Sequence, residues 1–206
     1  MIAVVDYGVG NLFSLTCSLR YIGAEARVTG DAEDLRAADG IILPGVGAFA
    51  DARAKLRATG LEPVLREQVE AGKPLLGICL GMQMLFDRSF EYGEHEGLGL
   101  IRGDVVPFDL PADMKVPHMG WNSLHILKPC PLLARINEGD FVYYVHSYYA
   151  TGCAEDTVAV SDYGVSVTGV VARGNVYGTQ FHPEKSGETG LDILRAFADI
   201  CKEGAK

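Results

Sequence analysis

Short, wholly apolar runs separated by stretches of helical periodicity limit this chain's possible folds more than any other feature. Residues 2–6 (IAVVD), 40–43 (GIIL) and 74–78 (PLLGI) are continuously apolar rather than alternating, and residues 25–29 read as a further strand. A strand that is apolar on both faces must be covered on both, as in a parallel sheet between two helical layers. The intervening segments supply those layers. Leu12, Leu15, Leu19 and Ile22 recur at helical spacing after a Gly-rich turn, with Asn11 placed as an N-cap. Residues 48–71 are helical in pattern with a break near Gly60, and another helix starts at about Leu80.

The second half changes character. Residues 98–108, 120–127, 140–150, 157–161, 165–172 and 174–181 alternate or are β-rich, with Gly, Asp and Asn between them. They predict antiparallel strands added to the main sheet. A helix over about 189–201 closes the chain, with Leu191, Leu194, Ala198 and Cys201 on one face. No repeat or low-complexity linker divides the sequence. The expectation is a single α/β domain over 1–206: three layers, a mostly parallel central sheet flanked by helices, and antiparallel strands in the second half. A domain of this size buries roughly 70% of its unfolded surface.

Charge excludes several classes of function. With 18 basic and 27 acidic residues the net charge is −9 and no Lys/Arg cluster stands out, which argues against nucleic acid and anionic membranes as partners. The apolar runs are too short to span a bilayer, and the N-terminus lacks the basic region of a signal peptide. The five cysteines (17, 79, 130, 153 and 201) are odd in number, irregular in spacing and contain no CxxC pair. Free thiols in a reducing, cytoplasmic setting are expected, with no zinc ribbon, metal or cofactor.

Gly77-Ile78-Cys79-Leu80-Gly81 lies between a buried strand and a helical pattern. This is a G-x-nucleophile-x-G elbow with Cys as nucleophile. Its glycines permit a sharp turn, and a helix N-terminus behind the sulfur favours thiolate. A buried cysteine is more often structural, which is the reading for the other four. At Cys79 the flanking glycines reverse the odds. The nucleophile needs a base and the base an orienter. Of five histidines, His182 ends the strand-like run Val176–Phe181, and Glu184 is two residues on. In extended chain both would point the same way, with Pro183 ending the strand. His-Pro-Glu alone reads as a solvated turn; beside the elbow it is a Cys79–His182–Glu184 triad candidate.

Two Gly-rich loops follow strands. Asp6-Tyr7-Gly8-Val9-Gly10-Asn11 occupies the place of a dinucleotide fingerprint but has Phe13 where the third Gly belongs. Leu43-Pro44-Gly45-Val46-Gly47 reads as a simple turn, or as a source of backbone N–H groups for an oxyanion hole beside the N–H of Leu80. Val116-Pro117-His118-Met119-Gly120-Trp121-Asn122 holds the only Trp. It reads either as a packed loop or, with Met and Trp partly exposed, as a partner surface.

Gly77–Gln83 together with Phe181-His182-Pro183-Glu184 resembles the class I, triad-type glutamine amidotransferases. The stretches 6–11, 44–49 and 116–122 and the ending His182-Pro183-Glu184-Lys185-Ser186 resemble, more narrowly, the glutaminase subunits of imidazole glycerol phosphate synthases of histidine biosynthesis. The resemblance runs the length of the chain and no motif position departs from it. It implies that Cys79 attacks the glutamine side-chain amide, that His182 oriented by Glu184 moves the protons, and that Val46 and Leu80 supply the oxyanion hole. It implies Gly47, Gln83, His146, Ser147 and Tyr148 as glutamine-binding residues. It also implies a (β/α)₈-barrel cyclase partner that receives the ammonia, met by Asn11, His118, Met119, Trp121 and Lys185. Glutaminase subunits of anthranilate or aminodeoxychorismate synthases would share the elbow and the His-Pro-Glu, but the stretch from His118 to Asn122 argues against them. A non-catalytic relative would not need the triad. A stand-alone γ-glutamyl hydrolase would not need a partner.

Overall fold

The computed structural model describes residues 1–204; the last two positions of the expected 206-residue domain lie outside it. The first half is β1 (Ile2–Val5), α1 (Leu12–Tyr21), β2 (Ala26–Thr29), α2 (Ala32–Ala37), β3 (Gly40–Leu43), α3 (Phe49–Ala58), α4 (Glu62–Glu70), β4 (Leu75–Ile78) and α5 (Leu80–Gln83). The second half is β5 (Arg88–Ser89), β6 (His95–Glu96), β7 (Asp104–Pro107), β8 (His118–Ser123), β9 (His125–Ile126), β10 (Phe141–His146), β11 (Tyr148–Thr151), β12 (Thr157–Asp162), β13 (Ser166–Arg173), β14 (Val176–Thr179) and α6 (Gly187–Gly204).

The central sheet has eight strands in the order β2-β1-β3-β4-β14-β13-β12-β9. Strands β1 to β4 run parallel to their neighbours. Alternate residues of one strand feed opposite layers. Ala3 and Val5 join Leu35, Phe49, Leu56 and Leu65 on the α2–α4 side. Ile2 and Val4 join Leu15, Leu19, Ile193, Leu194 and Phe197 on the α1–α6 side. The continuous apolar strands are therefore the middle of a three-layer α/β sandwich, as their composition requires.

The added strands depart from expectation in three respects. First, β14 is parallel to β4, not antiparallel. It returns from β13 through a two-residue turn, with Gly174 at φ 58°; because β13 opposes the sheet direction, the hairpin restores it. Second, only β13, β12 and β9 extend the main sheet antiparallel. β10 pairs with β8 alone, and β11-β7-β5-β6 form a separate four-stranded sheet. Third, only Asp104–Pro107 of the run 98–108 is a strand. On α6, Leu191 is half-buried, and Ile193, Leu194, Phe197 and Cys201 make the inner face. Cys17 is exposed, unlike the other three cysteines expected to be structural. Asn11 stands at the α1 N-cap position, but its side chain makes no capping hydrogen bond.

Phe197 is fully buried where α6 meets the sheet. Phe197→Ala should lower the free energy of unfolding by about 3–5 kcal/mol in urea titration; a loss below about 1 kcal/mol would show that α6 does not cap this core.

Candidate active site

Cys79 sits between β4 and α5 with φ 53° and ψ −109°, in the left-handed half of the map where a non-glycine residue costs about 1–3 kcal/mol. The surroundings enforce it. The Cys79 N–H donates to the Thr179 carbonyl at 2.7 Å, and the Cys79 carbonyl accepts from the Gln83 N–H at 3.0 Å. A Cβ at Gly81 would overlap the Leu43 carbonyl oxygen, and one at Gly77 would lie 2.7 Å from the Gly81 oxygen. The elbow is therefore packed backbone to backbone and admits only glycine at those two positions. Because α5 is a single turn, its dipole contributes less to the thiolate than the sequence suggested.

The register Thr179↔Ile78 puts residues 180–182 beside the cysteine at the same carboxyl edge. Gln180 Nε2 lies 3.8 Å from Cys79 Sγ. The His182 N–H donates to the Tyr143 carbonyl at 3.1 Å. The His182 carbonyl accepts from the Ser186 hydroxyl at 2.6 Å, and that hydroxyl accepts from the Tyr143 N–H. His182 Nδ1 lies 2.8 Å from Glu184 Oε1, both side chains being 3% exposed. Glu184 does not approach through extended chain, as the i, i+2 spacing suggested. Strand β14 stops at Thr179, and Pro183–Lys185 is a 3₁₀ turn that curls the carboxylate back under the ring. The other carboxylate oxygen, Oε2, is buried without a hydrogen-bond partner among the described residues.

Burial works against a charged His182. Its hydrogen bonds and ion pairing with Cys79 and Glu184 outweigh that penalty and raise its pKa well above the ordinary histidine value. With Nδ1 on the carboxylate, Nε2 is left for the sulfur. The imidazole thus stands between the sulfur and the carboxyl group.

Cys79 and His182 line a cavity of about 570 Å³, and Glu184 lies behind them. Of the residues singled out in the sequence, Val46, Gly47, Leu80 and Gln83 line it, as do His146, Ser147, Tyr148 and Lys185. The N–H groups of Val46 and Leu80 make no hydrogen bond to another group among the described residues. Two expectations change. The Gln83 amide donates both protons inward, to the Tyr148 carbonyl at 2.9 Å and to Gln180 Oε1 at 3.0 Å, so only its carbonyl remains for a ligand. Both His146 nitrogens are engaged, Nδ1 with the Tyr148 carbonyl and Nε2 with His118 Nδ1. Burial, with the nearby charges of His118 and His182, lowers its pKa to about 3. His146 therefore braces the wall as a neutral ring.

His118 is the clearest correction. It is 0% exposed, bonded to His146 and Asn122, and stacked on Tyr144 and Tyr163, so its side chain cannot meet a partner there. The cause is the period of a strand: on β8, His118 faces inward while Met119 and Trp121 face out, 60% and 52% exposed. Lys185 is exposed and Asn11 half-buried. Sequence reasoning missed Glu91 and Tyr92, which also line the cavity, as does Val116 at the start of the stretch 116–122. Glu91 accepts from the Phe49 N–H at 2.6 Å. Nothing in the pattern around Glu91 distinguishes it from a surface acid. Among the described residues no cluster of His, Cys, Asp and Glu could hold a metal, and no helix is long and apolar enough to cross a membrane.

Glu184→Gln removes the anion behind His182. The imidazolium loses a stabilising partner, so the His182 titration seen by NMR should move to lower pH, toward the ordinary histidine value. A titration unchanged from wild type would mean that Glu184 does not set the charge of the ring.

Comparison with known proteins shows the family and the fold. Residues 3–200 match the family described as glutamine amidotransferase class-I. The chain is 50% identical to the imidazole glycerol phosphate synthase subunit HisH of Caldanaerobacter subterraneus subsp. tengcongensis, covering 98% of this chain and 99% of that one. It is 53% identical to the protein of the same name from Geobacillus kaustophilus, over 98% and 97%. Among solved structures, PurLQS from Thermotoga maritima superposes with a TM-score of 0.77 at 21% identity, over 97% of each chain, a likeness of fold.

Proposed function

Because the chain belongs to the class I glutamine amidotransferases and, within them, to the HisH subunits of imidazole glycerol phosphate synthase, we propose a mechanism in which Cys79, His182 and Glu184 hydrolyse glutamine and release ammonia to a partner subunit. The observation that carries it is the buried row of Cys79, His182 and Glu184 at the mouth of a cavity that can hold one amino acid. The Cys79 thiolate adds to the side-chain amide carbon. The carbonyl oxygen takes the electron pair as an oxyanion, which the N–H groups of Val46 and Leu80 stabilise. The His182 imidazolium gives its proton to the amide nitrogen, and ammonia leaves a glutamyl thioester. Water then loses a proton to His182 and attacks the thioester, expelling the thiolate and yielding glutamate. Glu184 keeps the ring oriented throughout and stabilises it whenever it is the imidazolium. Glu91 supplies a carboxylate for the α-ammonium group, and Gly47, Gln83, Ser147 and Tyr148 frame the rest of the substrate.

The acceptor of ammonia is a (β/α)₈-barrel cyclase that makes imidazole glycerol phosphate and aminoimidazole carboxamide ribotide. Water would protonate free ammonia and abolish its nucleophilicity, so a sealed path between subunits serves the chemistry. The exposed Met119 and Trp121, with Asn11 and Lys185, form the docking face in this reading, and His118 stands behind it.

Glutaminase activity of the full chain, measured alone and with the barrel cyclase and its nucleotide ligand, tests the proposal. Strong stimulation by the partner is expected, and full activity without it would contradict the reading. In the complex, Cys79→Ala should lose glutamine hydrolysis by about 10³-fold or more while its circular dichroism stays native. Activity near wild type would remove Cys79 from the mechanism.

A further inference from the structure

The segment Asp6-Tyr7-Gly8-Val9-Gly10-Asn11 has no part in the chemistry above beyond Asn11, yet it is folded against the loop that carries Val46. Tyr7 follows β1 and Pro44 follows β3, its parallel neighbour, so both emerge at the carboxyl edge of the sheet. The Tyr7 ring is 4% exposed, and its hydroxyl donates to the Pro44 carbonyl oxygen at 2.7 Å in a buried hydrogen bond. Burial, with the nearby Cys79 charge, raises the phenol pKa, so the hydroxyl keeps its proton as a donor. Gly10 supports the same proline, since a Cβ there would stand 3.2 Å from Pro44 Cβ and Cγ.

Beyond the proline the loop has little slack. A Cβ at Gly45 would lie 2.6 Å from the Gly81 nitrogen and 2.9 Å from Leu80 Cβ, so loop and elbow already touch. The Pro44 carbonyl belongs to the rigid peptide plane joining Pro44 to Gly45. Only the two soft torsions of Gly45 separate that plane from the peptide carrying the Val46 N–H. Glycine by itself would leave those torsions almost free, but the contact of Gly45 with the elbow restricts them, so the orientation of the Pro44 plane carries through to the Val46 N–H.

We infer that Tyr7 is a positioning residue for the oxyanion-binding loop: its hydroxyl fixes the Pro44 carbonyl and thereby aims the Val46 N–H at the carbon that Cys79 attacks. Tyr7 is not among the residues that line the cavity, so it acts through the loop and not on the substrate. The inference rests on the glutaminase reading above.

Tyr7→Phe removes the hydroxyl and keeps the ring packing. The variant is compared with wild type in complex with the cyclase, in three measurements. The first is steady-state turnover. The second is affinity for glutamate γ-semialdehyde, whose carbonyl carbon accepts the Cys79 sulfur while its oxygen takes the electron pair. The third is the rate of Cys79 alkylation by iodoacetamide, read by peptide mass spectrometry, a displacement that develops no oxyanion. The expected result is a kcat about tenfold lower, a fraction of the effect of losing an oxyanion donor outright, with KM changed less than about twofold. Aldehyde affinity falls by a similar factor, and the alkylation rate is unchanged. Wild-type kcat and aldehyde affinity in Tyr7→Phe would overturn the inference, as would alkylation slowed as much as aldehyde binding, which marks general disruption of the site. If the wild-type complex itself neither turns over glutamine nor binds the aldehyde, the functional reading falls and this inference with it.

Discussion

The hydrogen bond from the Cys79 N–H to the carbonyl of Thr179, the last residue of β14, is 2.7 Å long and continues the parallel ladder between β4 and β14 one residue past the end of β4. Everything at the site depends on that pairing. It brings a residue from position 79 and a segment from 180–184 to one edge of one sheet, about a hundred positions apart in sequence. Were β14 antiparallel to β4, as its alternating neighbourhood suggested, His182 would leave the sheet at the opposite edge. The hairpin through Gly174 and Asn175 prevents this, because it follows a strand that opposes the sheet direction.

On this frame the molecule places its least favourable local features together. Cys79 has a left-handed backbone, Glu184 Oε2 is buried without a partner among the described residues, and the His182 ring is buried although its pKa is raised. Each would be destabilising alone. Together they offset one another: the His182 ring lies between Cys79 and Glu184, whose hydrogen bonds and charges raise its pKa against the penalty of burial. The strained cysteine is held by glycine-only contacts at positions 77 and 81 and by the loop from Pro44, not by its own preference. In the proposed mechanism a site fixed this firmly needs little reorganisation when the oxyanion forms.

The first half of the fold was legible because a strand buried on both faces leaves an unmistakable apolar run. The sharp turn at Cys79 was legible for a related reason, since only glycine fits at 77 and 81. What eluded the sequence was set by tertiary packing. Strands β5 and β6 have two residues each, too few to show a period, and α2 has only six. The capture of His182 by Glu184 was foreseen, but its route through a 3₁₀ turn was not, because spacing alone does not say where β14 ends. Met119 and Trp121 drew attention to β8 as a surface, and His118 was carried along with them. The period-two alternation that puts His118 inside was present in the sequence, but it acquires an inside only once β8 pairs with β10. Glu91 carried no signal, since its meaning comes from the cavity it borders.

The central claim is that the sulfur of Cys79 becomes bonded to the substrate. Acid quenching of the active complex during steady-state turnover of glutamine, followed by peptide mass spectrometry, tests it directly. The account predicts one added glutamyl group on the peptide that contains Cys79, absent when glutamine is omitted. Turnover with Cys79 unmodified and the glutamyl group on another residue would contradict it.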